Sequence, residues 1–472
     1  MSKYDLERRE FIQKMIALGL TVSGAEALFA ITGCSTTNFK RDPASSPRNL
    51  NASIAIIGAG AAGISAAHFL RAKGYRKVTI YEASGDVGGK CNTIDIEGRA
   101  YDMGAVFTTS SYDEVLALAK AYQVPVVPLE AHADKNMVDI KTGVARAWTI
   151  PETADLGLAG YDYKLRVLEK YPGLIRPGFA GLDPELFVPL SEWVGKYSLF
   201  PDSLNEFFGF TFTPFGYGFV DEVPAAYALK YYEKRLVGSL LHGKNLGMVR
   251  DGYQSLWRAV AKGMDIRLNT PVIKTRRFES GQLEVHTGFS VDFYDHLIVT
   301  SLPEDTLNFL DKTPEEENDL GRAQRYFYYS LAVKTPRPLD PKKPPPLGET
   351  GFMPENYYPN RSPHPLCWFK RWHAGDITIF YALSKTELSQ QSVSDTLQTD
   401  GKKYGWKLGP TLAIRKWKYF PHFSSADLAD GIYDRMEARQ GNLNTYIAGE
   451  IMNFSTVEMV TRYSKDLVHR FF

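Results

Sequence analysis

The sequence is poor in cysteine, in net charge and in long apolar runs, and each shortage excludes something. Its 472 residues include three cysteines, Cys34, Cys91 and Cys367, too few and too scattered for a disulfide framework or a thiolate metal site. Lysine and arginine number 55 against 54 acidic side chains, a formal charge of +1, so no polyanionic partner is implied, and no basic stretch interleaved with aromatics points to nucleic acid. Beyond the first 34 residues no apolar run approaches a membrane span. No Ser, His and Asp set, no metal-ligand cluster and no carboxylate pair stands out, so neither a catalytic side chain nor a metal is expected. What is present is an ordinary globular composition, 44% hydrophobic and 23% charged, at a length suited to about two or three folding units.

The N-terminus has its own pattern. Arg8 and Arg9 open "RREFIQK", a mostly apolar run extends from Met15 to Ile31, and "ITGC" ends at Cys34. This resembles a twin-arginine export signal with a lipoprotein box, a route that carries proteins already folded around a cofactor. The expectation is an exported protein, periplasmic or membrane-anchored through a lipid on Cys34. The alternative is a cytoplasmic protein whose first 34 residues form an amphipathic helix, a reading that Gln13 and Glu26 favour. Residues 35–52, rich in Ser, Pro and Asn, read as a linker.

"SIAIIGAGAAGISAAHFLRAKG" then gives an apolar strand, Ile54 to Ile57, three glycines and a helix ending near Gly74. Gly58, Gly60 and Gly63 stand at the spacing of a dinucleotide fingerprint, with Ala59, Ala61 and Ala62 between them. In that fingerprint the first glycine makes the turn, the second admits a pyrophosphate and the third lets helix and strand pack closely. The next strand, Lys77 to Tyr81, leads into Glu82, placed to accept hydrogen bonds from a ribose diol, which disfavours a 2′-phosphate.

"GDVGGKCNT", with Gly88, Gly89 and Lys90, and "YDMGAVF", with Met103 and Gly104, resemble the second glycine motif of the flavin amine oxidases. The resemblance implies FAD as cofactor, with Lys90 supporting the phosphates and the Met103–Gly104 loop passing the flavin ring. It implies further that "DIRLNTPVIKTRR" is the strand whose backbone at Val272 brackets the adenine, and that "NTYIAGEIM" supplies Gly449 and Glu450, the latter for the ribityl chain. A helix expected from about Thr456 to Leu467 would turn its positive end to the flavin.

The blocks "FTPFGYGFVDEVPAAYALKYYEK", "WKYFPHFSSADLADGIYDRMEARQGNLNTYIAGEIMNF" and "RYSKDLVHRFF" narrow the likeness. They resemble the bacterial polyunsaturated fatty acid double-bond isomerases, from about Ile54 to Phe472. The resemblance implies an α/β fold: a Rossmann-like FAD-binding domain (residues 53–110, 245–300 and 440–472), a helical cap and substrate region (111–244) and a mixed-sheet substrate domain (301–439). It implies a lipid or fatty acid substrate, with the flavin N5 taking a hydride from the carbon between two double bonds and returning it elsewhere on the chain. In "FGYG", Phe215 and Tyr217 are the favoured substrate contacts, because the flanking glycines permit close approach. Where the family has an arginine for the substrate carboxylate, Lys135 is the nearest cation, and a tunnel-closing phenylalanine corresponds to Leu240 or Leu241. The active-site lysine of true amine oxidases is replaced by tyrosines in "YYSLAVKTP". Net oxidation by a desaturase or amine oxidase-like enzyme, and FAD binding without turnover, are the competing readings. Nothing in the sequence specifies an oligomeric state.

Overall fold

The structure is a computed structural model, and it describes residues 49–129, 135–142, 144–147, 167, 169–232, 236, 246–337, 348–373 and 375–472. The expected export signal, Leu240, Leu241 and the side chain of Lys135 lie outside the described residues. A five-stranded sheet runs in the order Asp265–Arg267, Lys77–Tyr81, Ser53–Ile57, His296–Val299, Thr445–Ile447, parallel throughout. Parallel strands covered on both faces need near-continuous apolar residues. Ile54, Ala55, Ile56 and Ile57 meet that need, and all are buried.

Helix Ala61–Ala72 follows the first strand, and the last helix, Val457–Phe471, packs along it. Small polar groups join the two: Ser65 bonds Thr461 at 3.3 Å and Ser464 Oγ donates to Ala62 O at 3.0 Å. Lys73, just past the first helix, donates to Val468 O at 2.9 Å and Phe472 O at 3.0 Å. The last helix therefore ends on a cation, which suits its negative end.

A seven-stranded mixed sheet forms the other half. Its order is Thr411–His422, Gln324–Lys334, Ile377–Ser384, Pro365–Phe369, Thr350–Phe352, Lys135–Val138, Ala145–Ala147. All neighbours are antiparallel except Thr350–Phe352 with Lys135–Val138. Helices Leu190–Tyr197, Pro201–Phe212 and Ala225–Tyr231 cluster in the intervening segment. The mixed architecture agrees with the expected fold.

Two expectations change in detail. "DIRLNTPVIKTRR" is two strands in different sheets: Asp265–Arg267 ends the parallel sheet, and Val272–Arg277 opens a three-stranded antiparallel sheet with Leu283–Thr287 and Val291–Tyr294. The chain turns between them because Asn269 takes φ +51° and Pro271 has no N–H to continue a ladder. The last helix runs to Phe471, with Thr456 as its cap: the Thr456 hydroxyl accepts from Met459 N at 3.1 Å.

Helix and first strand approach so closely that a Cβ on Gly63 would lie 1.9 Å from the carbonyl oxygen of Gly58. Neither is a flexible side-chain end, so one backbone would have to move. Gly63→Ala is therefore expected to destabilise the fold by about 3 kcal/mol, at the upper end of overpacking costs. Urea unfolding monitored by circular dichroism checks this, and an unchanged midpoint would refute it.

Candidate functional site

A cavity of about 670 Å³ opens at the carboxyl ends of the parallel strands, where ligands bind in open α/β sheets. Gly58, Gly60, Ala61, Ala62, Glu82, Gly88, Gly89, Lys90, Val272, Gly449 and Glu450 all line it. Residues from five separate stretches of sequence thus meet at one site. Ala59, Gly63, Met103 and Gly104, also expected at the cofactor, are not lining residues, though their chain neighbours Gly58, Gly60, Ala62 and Ala105 are.

The floor is built from backbone. Gly58 takes φ +104°, pinned by Thr300, whose Oγ1 donates to Ile57 O at 2.7 Å. Gly60 and Gly88 form a bridge, and the Gly88 N–H donates to Ala59 O at 2.8 Å. Gly60 and Gly89 face each other so closely that a Cβ on Gly89 would come within 3.2 Å of the Gly60 Cα. A Cβ on Gly60 would meet only Gly89 Cα, at 3.9 Å.

Helices Ala61–Ala72 and Val457–Phe471 both begin on the cavity, through Ala61, Ala62, Thr456 and Val457. Two helix N-termini present unpaired N–H groups and positive dipole ends to one space, a setting for anionic groups. At the far side Glu82 accepts from Ala59 N at 2.7 Å and from Ser84 N at 2.8 Å. A carboxylate has about four acceptor positions, so capacity is left for a diol.

At the other end Lys90 and Glu450 meet as an ion pair of 2.6 Å, both side chains mostly buried. The family resemblance implies separate tasks for them, phosphates for Lys90 and the ribityl chain for Glu450, yet the structure joins them. Ser455 Oγ donates to the second Glu450 oxygen at 3.2 Å, and the Lys90 ammonium lies 5.5 Å from the centre of the Tyr419 ring.

The Met103–Ala105 segment is laid on Lys90: Ala105 N donates to Lys90 O at 3.0 Å, and a Cβ on Gly104 would sit 1.8 Å from that oxygen. From the mixed sheet, Ser330 Oγ at 2.6 Å and Trp417 Nε1 at 2.7 Å both donate to Met103 O. Neighbouring Asp102 is buried and ion-paired with Arg371. It also accepts from Thr93 Oγ1 at 2.6 Å and Tyr253 N at 2.8 Å. Burial pushes its carboxyl up, and Arg371 opposes that shift. Thr300, Ser330, Trp417 and Arg371 were not singled out from the sequence, since each acts through strands paired across long separations.

Phe215 and Tyr217 do not line the cavity. Tyr419 does, and Tyr217 stacks on it with ring centres 5.8 Å apart. Gly216 and Gly218 take φ +86° and +89°. A Cβ on Gly216 would come within 2.9 Å of the Tyr328 and Tyr419 rings. The close approach that the glycines permit is thus to tyrosine rings. Phe208, Phe210, Phe212 and Phe219, which flank "FGYG" in the sequence, are core residues. Burial drives the Tyr217, Tyr328 and Tyr419 phenols well above the ordinary range, so all three stay neutral. Lys135 stands in its strand opposite Thr350. Among the described residues no group of His, Cys, Asp and Glu could hold a metal.

The sequence matches the family model "Flavin containing amine oxidoreductase" over residues 61–353. The chain belongs to that family. A crystal structure of a CLA-producing fatty acid isomerase from P. acnes superposes with a TM-score of 0.81 at 28% identity, covering 90% of this chain and all of that one. A polyenoic fatty acid isomerase of Ptilota filicina is 24% identical over 48% of this chain, and an FAD-dependent oxidoreductase of Colletotrichum higginsianum 29% identical over 48%. The chain spans about half the length of these curated relatives, 51% and 49% respectively.

A flavin cofactor fits what the cavity offers: a glycine cleft that a Cβ would fill, two helix N-termini for phosphate, and Glu82 for a ribose. Gly60→Ala is expected to leave the fold intact, because the new methyl meets no protein atom closer than 3.9 Å, and to abolish flavin retention by filling the cleft. Glu82→Ala should weaken flavin binding about ten- to hundredfold, the worth of one charge-assisted hydrogen bond of about 1.5–3 kcal/mol. Flavin absorbance after gel filtration and a fluorescence titration distinguish these outcomes, and full retention by Gly60→Ala would refute the assignment.

Proposed function

We propose that this flavoenzyme binds FAD and isomerises double bonds of an unsaturated fatty acid or acyl lipid. Bound in the cavity, FAD supplies a two-electron acceptor and donor at the ring end. Gly58–Gly63 and the first helix would hold the pyrophosphate, Glu82 the ribose, Val272 the adenine side, and Glu450 with the last helix the ribityl and ring side. The residues around Tyr419 would orient an apolar chain and exclude water, which a reduced cofactor needs if electrons are to return to the same substrate.

The observation that carries this reading is the uncharged character of the tyrosine cluster that reaches the cavity through Tyr419. The phenols of Tyr217, Tyr328 and Tyr419 are buried and neutral. Lys90 is the one cation among the described residues lining the cavity, and Glu450 neutralises it. On the strand Gln324–Lys334, Ser330 reaches Met103, and Tyr328 donates to Pro214 O at 2.6 Å. The lysine of that strand, Lys334, does not line the cavity. The likeness to a fatty acid isomerase over 90% of the chain supports the same reading.

Removing a hydrogen with its electron pair from a methylene between two double bonds leaves a delocalised cation. Returning it at a terminal carbon of that system gives a conjugated diene with no net oxidation. Anaerobic incubation with a substrate deuterated at that methylene is therefore expected to yield a conjugated product carrying deuterium at a new carbon. Stoichiometric peroxide, or a flavin that stays reduced until an acceptor is added, would show net oxidation and overturn the isomerase reading.

We also propose that the enzyme is exported and held at a membrane by a lipid on Cys34. Replacing Arg8 and Arg9 by lysine should leave it in the cytoplasm, and Cys34→Ala should turn a membrane attachment that resists high salt into one that a high-salt wash removes. An unprocessed chain still beginning at Met1 would refute this address.

A further inference from the structure

The three-stranded sheet carries a feature the cavity does not use. Its inner face, with Leu283, Val285 and Tyr294, is packed into a hydrophobic core. Its outer face follows from the register: Lys274 stands beside His286 and Val291, and Arg276 beside Glu284 and Phe293. Phe293 is 55% exposed and Val291 48%. Phe289, at the tip between the last two strands, is 82% exposed. Burying phenylalanines at that level is worth far more than leaving them in water, and an edge of this kind marks an interaction surface.

We propose that this face docks on the surface of an anionic lipid bilayer. Two observations select that partner. The first is composition: Phe289, Val291 and Phe293 form an apolar edge, Lys274 and Arg276 lie exposed across the same face, and the acid among them, Glu284, is held by His286 at 2.7 Å. Aromatic residues that enter the interface beside cations that stay at the headgroups are the chemistry of interfacial binding.

The second is position. Ser53, where the folded chain begins its first strand, bonds Asp295 through its N–H at 2.7 Å and its hydroxyl at 2.9 Å. Asp295 follows directly on the strand Val291–Tyr294. The segment leading back to Cys34 therefore joins the fold next to the Phe293 edge. The 19 residues from Cys34 to Ser53 can reach at most about 65 Å, enough for this edge to meet any membrane to which Cys34 is attached. Val272 and Ile273, at the start of the first strand of the same sheet, line the cofactor cavity, so docking would set the site close to the lipid. The inference rests on the reading of the chain as an anchored enzyme of acyl lipids.

The test uses the flavin-loaded Cys34→Ala protein, which carries no lipid of its own, and vesicles of phosphatidylglycerol with phosphatidylethanolamine or of phosphatidylcholine alone. Co-sedimentation with the anionic vesicles is expected, weakening at high salt. Phe289→Asp with Phe293→Asp should reduce it about tenfold or more, and Lys274→Glu with Arg276→Glu several-fold, while both variants keep their flavin absorbance. A Phe289→Trp reporter should shift its emission to the blue on adding vesicles. The proposal is overturned if the protein stays in the supernatant with every vesicle, if both double variants bind as well as the parent, or if the parent is a dimer that the Phe289→Asp, Phe293→Asp variant splits into monomers. If Cys34→Ala binds vesicles but the parent chain, with Cys34 intact, is never acylated in cells, the anchor is refuted and this surface stands; binding without diene formation would refute the isomerase reading alone.

Discussion

The distance between two stretches of backbone governs the rest of the site. Gly58 to Gly63 must pass between the first strand and helix, and Gly88 and Gly89 must come back against that turn. Only hydrogen at Cα allows it: a Cβ on Gly63 would be driven onto Gly58 O, and one on Gly89 would crowd Gly60. Where the two stretches meet, the Gly88 N–H finds its acceptor in Ala59 O and the Glu82 carboxylate finds one of its donors in Ala59 N. The glycines thus serve two ends at once, satisfying buried backbone groups and leaving open above Gly60 a cleft that a side chain there would fill.

The second half of the site is fixed from the opposite direction. Met103 O accepts from Ser330 and Trp417, which belong to paired strands of the mixed sheet. One residue earlier, Asp102 holds Arg371 from that same region. A buried ion pair contributes little net stability, but losing either partner would leave an unpaired buried charge. Its value here is positional. With Arg415 donating to Asn92 Oδ1 at 3.0 Å, it ties the segment carrying Lys90 and Gly104 to the mixed sheet, so both sheets set where the ring end of the cavity lies.

This division explains what could be read from the sequence. The cofactor cleft was legible because its information is local: Gly58, Gly60, Gly63 and Glu82 lie within one strand, helix, strand unit whose spacing reflects fixed turn geometry. The roles of Ser330, Trp417 and Tyr419 were not, because they depend on how Gln324–Lys334 pairs with Thr411–His422. That register shifts between Gln324 and Tyr326, opposite Phe420, which takes φ +52° before Pro421. Such a bulge re-aims side chains on either side of it, and no residue pattern announces it. Lys90 and Glu450 show a further limit. Both line the cavity, but a pairing between residues 360 positions apart is not written in either motif.

The same pair bears on what the ring end can accept. A protonated amine entering a desolvated site needs a counter-charge or an open aromatic face. Near Tyr419 both are already engaged, since Glu450 is bound by Lys90 and Ser455, and the Lys90 ammonium lies by the Tyr419 ring. A second cation there would find neither of them free. A free carboxylate fares no better, because the one lining cation among the described residues is neutralised at 2.6 Å. An uncharged hydrocarbon segment makes neither demand and loses only water on entering. Near Tyr419 the described lining residues therefore hold no unengaged charge for a substrate group of either sign, which is the electrostatic side of the proposal that an uncharged hydrocarbon segment reacts there.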